Sequence, residues 1–149
     1  MKRIIVLVMM MLPIMAMAQL PQFSKVADKY SSVEGITSMV INKSMIAMIA
    51  DGNDDFDFVD EVQILMSDDA NVAANIAKDA KKAVKKSKLE ELLSANDEGA
   101  TYTIYTKSKN NEITHLVVIV ENDSPAGFVI ISGIIPEDKL NEVVKIANM

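Results

Sequence analysis

The chain has 149 residues, a formal net charge of −6, no cysteine and a single histidine. The lack of cysteine excludes disulfides, thiolate zinc sites, iron–sulfur clusters and thiol catalysis, and one histidine excludes a multi-histidine metal site within the chain. The acidic balance disfavours nonspecific nucleic-acid binding, which draws its affinity from lysine and arginine on phosphates, so no nucleic-acid partner is expected.

The first residues have the layout of a secretory signal peptide. A short basic start is followed by an apolar run and by a small-residue stretch that ends at Ala18, directly before Gln19. This pattern predicts a signal peptide over residues 1–18 and a single domain over residues 19–149. The apolar run is shorter than the roughly 20 residues that a spanning helix needs, so no stable membrane span is expected after cleavage. We therefore expect an exported protein, periplasmic or extracellular.

The mature part opens with an apolar stripe at helical spacing, formed by Phe23, Val26, Ala27 and Tyr30. It predicts a helix over about 21–32, and a run of β-forming residues predicts a strand over 35–41.

A short helix is predicted next, because Asn42 or Ser44 is a suitable N-cap. In this helix Met45, Met48 and Ile49 are expected to face inward, since they are its large apolar residues.

The stretch "DGNDDFDFVD" is predicted to be an acidic loop. Four of its oxygen-bearing side chains alternate and form a weak candidate for a hard-cation site. They are Asp51, Asn53, Asp55 and Asp57. The EF-hand pattern fails because Phe56 and Val62 occupy the positions that require glycine and glutamate. The alternative is a solvated loop whose phenylalanines dip into the core.

The middle of the chain predicts one strand and one long helix. Val62, Ile64 and Met66 alternate with their neighbours as in a half-buried strand. A helix capped by Ser67, Asp68 or Asp69 follows, with an apolar face and a run of lysines elsewhere around it. Leu89, Leu92 and Leu93 are taken as a continuation of its apolar content, up to Gly99. The lysines suit anionic headgroups, an acidic partner or simply a solvated face.

The last third predicts three strands in succession, with a turn at Asn110-Asn111 and a second turn at "NDSPAG". Pro136 is a suitable start for a final helix that carries Leu140, Val143, Val144 and Ala147. Together these elements predict a single α+β domain: an about five-stranded, mixed or antiparallel sheet, helices packed on it, and a C-terminal three-strand meander followed by a helix.

The sequence shows no assembled catalytic group. G-x-S-x-G, S-x-x-K, G-x-G-x-x-G and Walker A patterns do not occur. The only histidine, His115, lies within a predicted strand and is interpreted as structural. No catalytic residue, cofactor-binding residue or cofactor is therefore expected, and the chain is interpreted as a protein other than an enzyme.

Three segments of the chain resemble one known family. They are "FSKVADKYSSVEGITSMVINKSMIAMI", "VDEVQILMS" before the lysine-rich helix, and "YTIYTKSKNNEITHLVVIVEN…FVIISGII". The chain resembles the domain of unknown function 4252 over about 23–147. The resemblance implies an exported protein of the Bacteroidetes and a link to envelope sensing or sigma-factor regulation. It offers no active-site residues, and Gln19 stands where a lipid-anchored relative has cysteine.

The function expected from these patterns is a noncatalytic module that binds an envelope protein, an envelope component or a second copy of itself. The two-sided apolar strand "HLVVIV" suits sheet extension or dimerisation. One alternative is a carboxylate-dependent hydrolase acting on an envelope polymer, which requires two converging acids. Another is a carrier with a small-ligand cavity between the sheet and the helices.

Overall fold

The computed structural model describes residues 20–52 and 56–140. The predicted signal peptide, its cleavage point between Ala18 and Gln19, and the predicted last helix beyond Leu140 lie outside these residues. Three α-helices lie within the described ranges: α1 (Pro21–Tyr30), α2 (Lys43–Ala50) and α3 (Ala70–Lys86). The described strands are β1 (Ile36–Asn42), β2 (Val59–Ser67), β3 (Glu90–Asp97), β4 (Ala100–Lys109), β5 (Glu112–Glu121) and β6 (Ala126–Ile135), followed by a short 3-10 helix at Glu137–Lys139.

The six strands form one sheet in the order β1-β2-β6-β5-β4-β3, and all neighbours are antiparallel. Strands β3 to β6 form a meander, β2 lies beside β6, and β1 and β3 are the two edges. Helix α3 therefore connects β2 to the far edge of the sheet. The α+β architecture is confirmed, and the expected five strands are corrected to six.

The additional strand is β3, and the interpretation of Leu92 and Leu93 as a continuation of the apolar content of the long helix is wrong. Helix α3 ends at Lys86, and Lys88 takes a left-handed φ of 56°, which turns the chain away from the helix axis. All residues of β3 are exposed. The segment therefore has no alternation of buried and exposed residues, which is the pattern that identifies a half-buried strand. Its Leu92 and Leu93 belong to an edge strand that pairs with β4.

The helical face of the sheet is covered by α1 and α3. Phe23 of α1 packs edge-to-face on Phe128 of β6, with ring centroids 5.2 Å apart and an interplanar angle of 72°. The predicted stripe of α1 is confirmed for its three buried members, and α3 buries its alanine-rich face as expected. This cluster contains Leu20, Phe23, Val26, Tyr30, Leu65, Ile76, Ala77, Ala80, Ala83, Val84, Val117, Ile119, Phe128 and Ile130.

The opposite face of the sheet carries a second apolar cluster. Its buried members on this face are Val59, Ile104, Leu116, Val118, Val120, Ile131 and Ile135, and Ala126 of β6 and Ala73 of α3 join the cluster from the α3 side, where both line one depression. Ile46 of α2 and Leu140 pack against this cluster. Strands β5 and β6 are thus covered on both faces, as their apolar runs predict. Strand β2 is covered on both faces too, since Leu65 is fully buried against the helices while Val62 and Met66 pack on the second cluster.

Strand β6 approaches β2 so closely that glycine is required at Gly127. Its φ is +151°, and a Cβ added there would overlap the main-chain carbonyl oxygen of Leu65. A main-chain group that is itself hydrogen-bonded in a sheet has little freedom to move aside. The junction of the meander with β2 therefore depends on the missing side chain.

We predict that Gly127→Ala lowers the free energy of unfolding by about 3 kcal/mol or more, because it combines steric overlap with an unfavourable φ. Gly99→Ala is the matched control: its φ is +90°, but nothing lies within 4 Å of its added Cβ. The control should lose only about 1 kcal/mol. Urea unfolding followed by circular dichroism measures both, and equal losses would contradict the argument.

Candidate binding surface

Strand β1 is an edge of the sheet that carries no charge. Its sequence is "ITSMVIN", and it hydrogen-bonds to β2 alone among the described strands. Met39 is 45% exposed and Val40 is 52% exposed. An edge strand presents unpaired N–H and C=O groups, and natural edges are usually guarded by charge, proline or a bulge. The pairing of β1 with β2 runs through seven consecutive residues without a bulge, so β1 has none of these guards.

The other edge, β3, is guarded. Its sequence "EELLSAND" carries Glu90, Glu91 and Asp97, and a register irregularity lies between Glu91 and Leu93. Acidic side chains along an edge repel another strand, and a bulge distorts the row of hydrogen-bonding groups. The two edges of one sheet therefore differ in their readiness to accept a further strand.

Helix α2 lies directly after β1 and displays an apolar face to solvent. Met48 is 81% exposed, Ile49 is 72% exposed and Met45 is 46% exposed. The expectation that these three residues face inward is wrong, because Ile46 packs on the core in their place. The helix has large apolar residues on two sides, and eight residues resting on a sheet can bury only one of them.

The start of α2 is well fixed. Of the two predicted N-cap candidates, Asn42 is the N-cap. Its side chain accepts a hydrogen bond of 3.0 Å from the N–H of Met45. Lys43 forms an ion pair of 3.3 Å with Asp60 and donates to the carbonyl oxygen of Asp57 at 3.4 Å. The exposed methionines are therefore presented on an element that is tied to β2.

We name the exposed set Met39, Val40, Met45, Met48 and Ile49 the β1–α2 surface. Met39 lies opposite Ile64, on the same face of the sheet as α2, whereas Val40 lies on the other face. The four side chains on the α2 face expose an apolar area on the order of several hundred Å², a size at which surface patches of monomers are often functional. The chemistry of this surface is strand pairing combined with apolar contact.

The acidic loop is only partly described. Asp51 and Asp57 are exposed, whereas Asn53 and Asp55 lie outside the described residues. Asp51 has a left-handed φ of 47° and ends α2. Within 20–52 and 56–140, no group of three or more acidic, histidine or cysteine side chains is placed to hold a metal ion. Phe58 packs on the second apolar cluster, as the alternative interpretation of this loop predicts.

His115 is buried in β5, at 5% exposure. Its Nδ1 lies 2.9 Å from Oγ1 of Thr114, and that hydroxyl donates to the carbonyl oxygen of Lys107 at 3.2 Å. The position, inside a central strand and bonded to an adjacent hydroxyl, fits a structural histidine.

The lysine-bearing side of α3 faces α1 across a shallow groove of about 210 Å³. Lys25, Lys29, Lys82 and Lys86 line it, together with Asp79. Asp79 accepts hydrogen bonds from Lys29 at 2.8 Å and from the hydroxyl of Tyr30 at 2.7 Å. A further ion pair, Lys81–Glu121 at 2.8 Å, ties α3 to β5. Of the predicted lysine run, Lys81 thus ties α3 to the sheet.

The Asp79 contacts perturb three acid–base groups. The hydrogen bond from Lys29 lowers the pKa of Asp79, against the opposing effect of burial. Burial, followed by the hydrogen bond to Asp79, raises the pKa of Tyr30. The same carboxylate raises the pKa of Lys29. Asp79 is therefore stabilised in its ionised form when the chain folds.

A surface depression of about 470 Å³ lies between α3 and the turn from β5 to β6. Alanines of α3 line one side of it, and Glu121, Asn122, Asp123 and Ser124 line the other. It lies along the first half of α3, beside the end of β5 and the start of β6.

A family model matches most of the chain. The family described as "Domain of unknown function (DUF4252)" matches residues 30–143, which include the β1–α2 surface. Comparison with curated proteins and with solved structures finds no match. In the described part of the chain, no helix has the length and apolar character required to cross a membrane.

We predict that Asp79→Asn destabilises the chain near neutral pH and that the loss shrinks in acid. The folded pKa of Asp79 lies below its unfolded value of about 4, so its stabilising effect is complete above about pH 4 and disappears as the pH falls through the folded pKa. Urea unfolding at about pH 7 and about pH 3 tests this. Asp28→Asn, at an exposed position of α1, is the control; an equal loss for Asp79→Asn at both pH values contradicts the assignment.

Proposed function

We propose that this chain, which belongs to the DUF4252 family, is an exported, noncatalytic module that binds a protein partner at the β1–α2 surface. The proposal rests on one observation: β1 is an uncharged, unguarded sheet edge with an exposed apolar helix directly beside it. An extended segment that adds to such an edge gains main-chain hydrogen bonds, while neighbouring apolar side chains supply contact area.

The composition of the β1–α2 surface suits binding of a partner rather than catalysis. Met39, Met45 and Met48 are unbranched and polarisable, so they adapt their shape to a partner. The main chain of β1 supplies directional hydrogen bonds that fix the register of an added strand. Together they provide affinity through area and specificity through alignment.

The partner is proposed to come from the cell envelope, because the predicted leader directs the chain out of the cytosol. A chain that acts outside the cytosol meets its partner in the periplasm or beyond the cell. The exposed apolar area is small enough for a folded protein to remain dispersed until that encounter.

We predict that native material begins at Gln19 and occurs outside the cytosol. Intact-mass analysis of protein purified from its own cells measures the first point, and fractionation measures the second. A variant with Ala18→Lys should be retained as an uncleaved precursor, because signal peptidase requires a small residue there. Native protein that starts at Met1 and stays in the cytosolic fraction would contradict the proposed export.

We predict that Met48→Lys abolishes capture of a crosslinked partner from native envelope extract without destabilising the chain. Met48 is 81% exposed, so its replacement removes contact area and adds a charge to the interface but leaves no cavity in the core. Leu92→Lys, at a 49% exposed position of the guarded edge, is the matched control and should capture as well as the wild type.

Hydrogen exchange supplies the second measurement for the same complex. Main-chain amides of β1 should exchange more slowly when the partner is bound, because strand addition pairs those that face solvent. Protection of β3 amides instead, or capture that survives Met48→Lys and is lost with Leu92→Lys, contradicts the proposed surface.

A further inference from the structure

We infer that the strand added to β1 is the β1 strand of a second copy of this chain, in a two-fold symmetric dimer. This inference rests on the proposed function, since it names the occupant of the same edge. Closed two-fold dimers use the same patch on both subunits, so the patch has to be complementary to itself. An uncharged strand meets this requirement because no like charges are brought face to face.

The symmetry fixes the possible registers. A two-fold axis perpendicular to the sheet makes the two β1 strands antiparallel and keeps each face of one sheet continuous with the same face of the other. Residues that lie directly opposite each other in an antiparallel pair have their side chains on the same face of the sheet. In a symmetric pair, one residue of β1 therefore has to lie opposite the same residue of the other copy, and the axis passes beside it. Pairing all of Ile36–Asn42 places the central residue, Met39, at this position. Ile36 of one copy then faces Asn42 of the other.

The same axis brings the two α2 helices to one side of the extended sheet. Met39 lies on the face that carries α2, so both Met39 side chains lie on the same side of the extended sheet as the two helices. The exposed side chains of Met45, Met48 and Ile49 are thereby offered to their counterparts. A separate extended peptide would pair with the strand and leave most of this helical surface in water, whereas a second copy covers both.

The available area is close to what a dimer needs. The apolar side chains expose on the order of several hundred Å², and the outward edge of a seven-residue strand adds main-chain area to this. The sum approaches the roughly 800 Å² that each partner contributes to a standard interface. The dimer is accordingly expected to form in the micromolar range rather than to be obligate.

Charge at the ends of β1 also favours this arrangement. Glu34 lies just before the strand, and Lys43, which also pairs with Asp60, lies just after it; both are exposed. In the antiparallel pair, the Glu34 end of one strand lies beside the Lys43 end of the other, twice per dimer. The uncharged strand further allows two acidic chains, whose full sequence carries a net charge of −6, to meet without bringing like charges together.

Sedimentation of the protein purified from its own cells over the micromolar range is the first test. The expected result is a concentration-dependent mass that rises from one chain to two. Met39→Lys should raise the dimer dissociation constant about tenfold or more, because it sets two like charges against each other at the axis. Leu92→Lys should leave the constant unchanged, and circular dichroism confirms that both variants are folded.

Single cysteines test the register, since the chain contains none of its own. Opposed residues of an antiparallel pair have Cα atoms about 4.5–5.5 Å apart, which lies within the range for a disulfide. Met39→Cys should therefore form a covalent dimer with oxidised glutathione faster than Ser38→Cys or Val40→Cys. Leu92→Cys on β3 should remain monomeric.

The outcomes separate this inference from the function on which it rests. A chain that sediments as a monomer at every concentration and forms no Met39→Cys dimer overturns the second copy as occupant. The proposed binding function then survives only if β1 amides are protected by another envelope protein. A dimer that crosslinks through Leu92→Cys instead of Met39→Cys overturns the second copy at β1 and assigns the accessible edge to β3, against the proposed surface as well.

Discussion

The pairing of β2 with β6 is the contact on which the rest of the structure depends. It joins the first hairpin-like unit, β1 and β2, to the meander formed by β3 to β6. Gly127 and Gly133 sit at the two ends of this pairing, and a side chain at either would overlap a main-chain oxygen, of Leu65 or of Phe58. Without this junction the meander would have β6 as an open edge, and Leu65 would lose its place beneath the helices.

The same junction decides which strands become edges. Since one side of β2 is paired with β6, β1 pairs with the other side of β2 and becomes an edge of the sheet. Helix α3 leads the chain to the opposite edge, where β3 begins. The protein therefore has one edge early in the chain and one edge in its middle. Acidic residues and a bulge guard the second of these, and the first has no guard.

The elements that the sequence predicts well are those whose pattern is long and one-sided. The stripe on α1, the alanine-rich face of α3 and the doubly apolar β5 and β6 are confirmed, because burial against a large core imposes a regular period on them. The fold class follows from these elements alone. The strand count does not, since β3 is exposed throughout and carries no periodic signal.

Helix α2 shows a different limit. Its sequence is apolar on two sides, so the helical period is compatible with either side facing the core. One side carries Ile46 and Ala50, and the other carries Met45, Met48 and Ile49. The choice depends on the position of β2, which is remote in sequence, and the structure selects the first. The sequence does not reveal the β1–α2 surface, for the same reason. "ITSMVIN" is visibly uncharged, but that matters only once the strand is known to be an edge.

An unguarded edge is a hazard for any folded protein, because it pairs with any strand that reaches it. Several features of β1 limit this hazard. It is seven residues long, its first half carries Thr37 and Ser38, and the helix that follows it blocks extension of the strand at one end. In a two-fold symmetric dimer each β1 edge is paired with the other, so no β1 edge is left for a further chain. A head-to-tail arrangement would leave one edge open and could grow into a filament. The acidic residues of β3 fit this arrangement. A dimer formed through β1 would have a sheet of twelve strands with a β3 strand at each edge. The acidic residues of β3 would oppose the addition of further strands there.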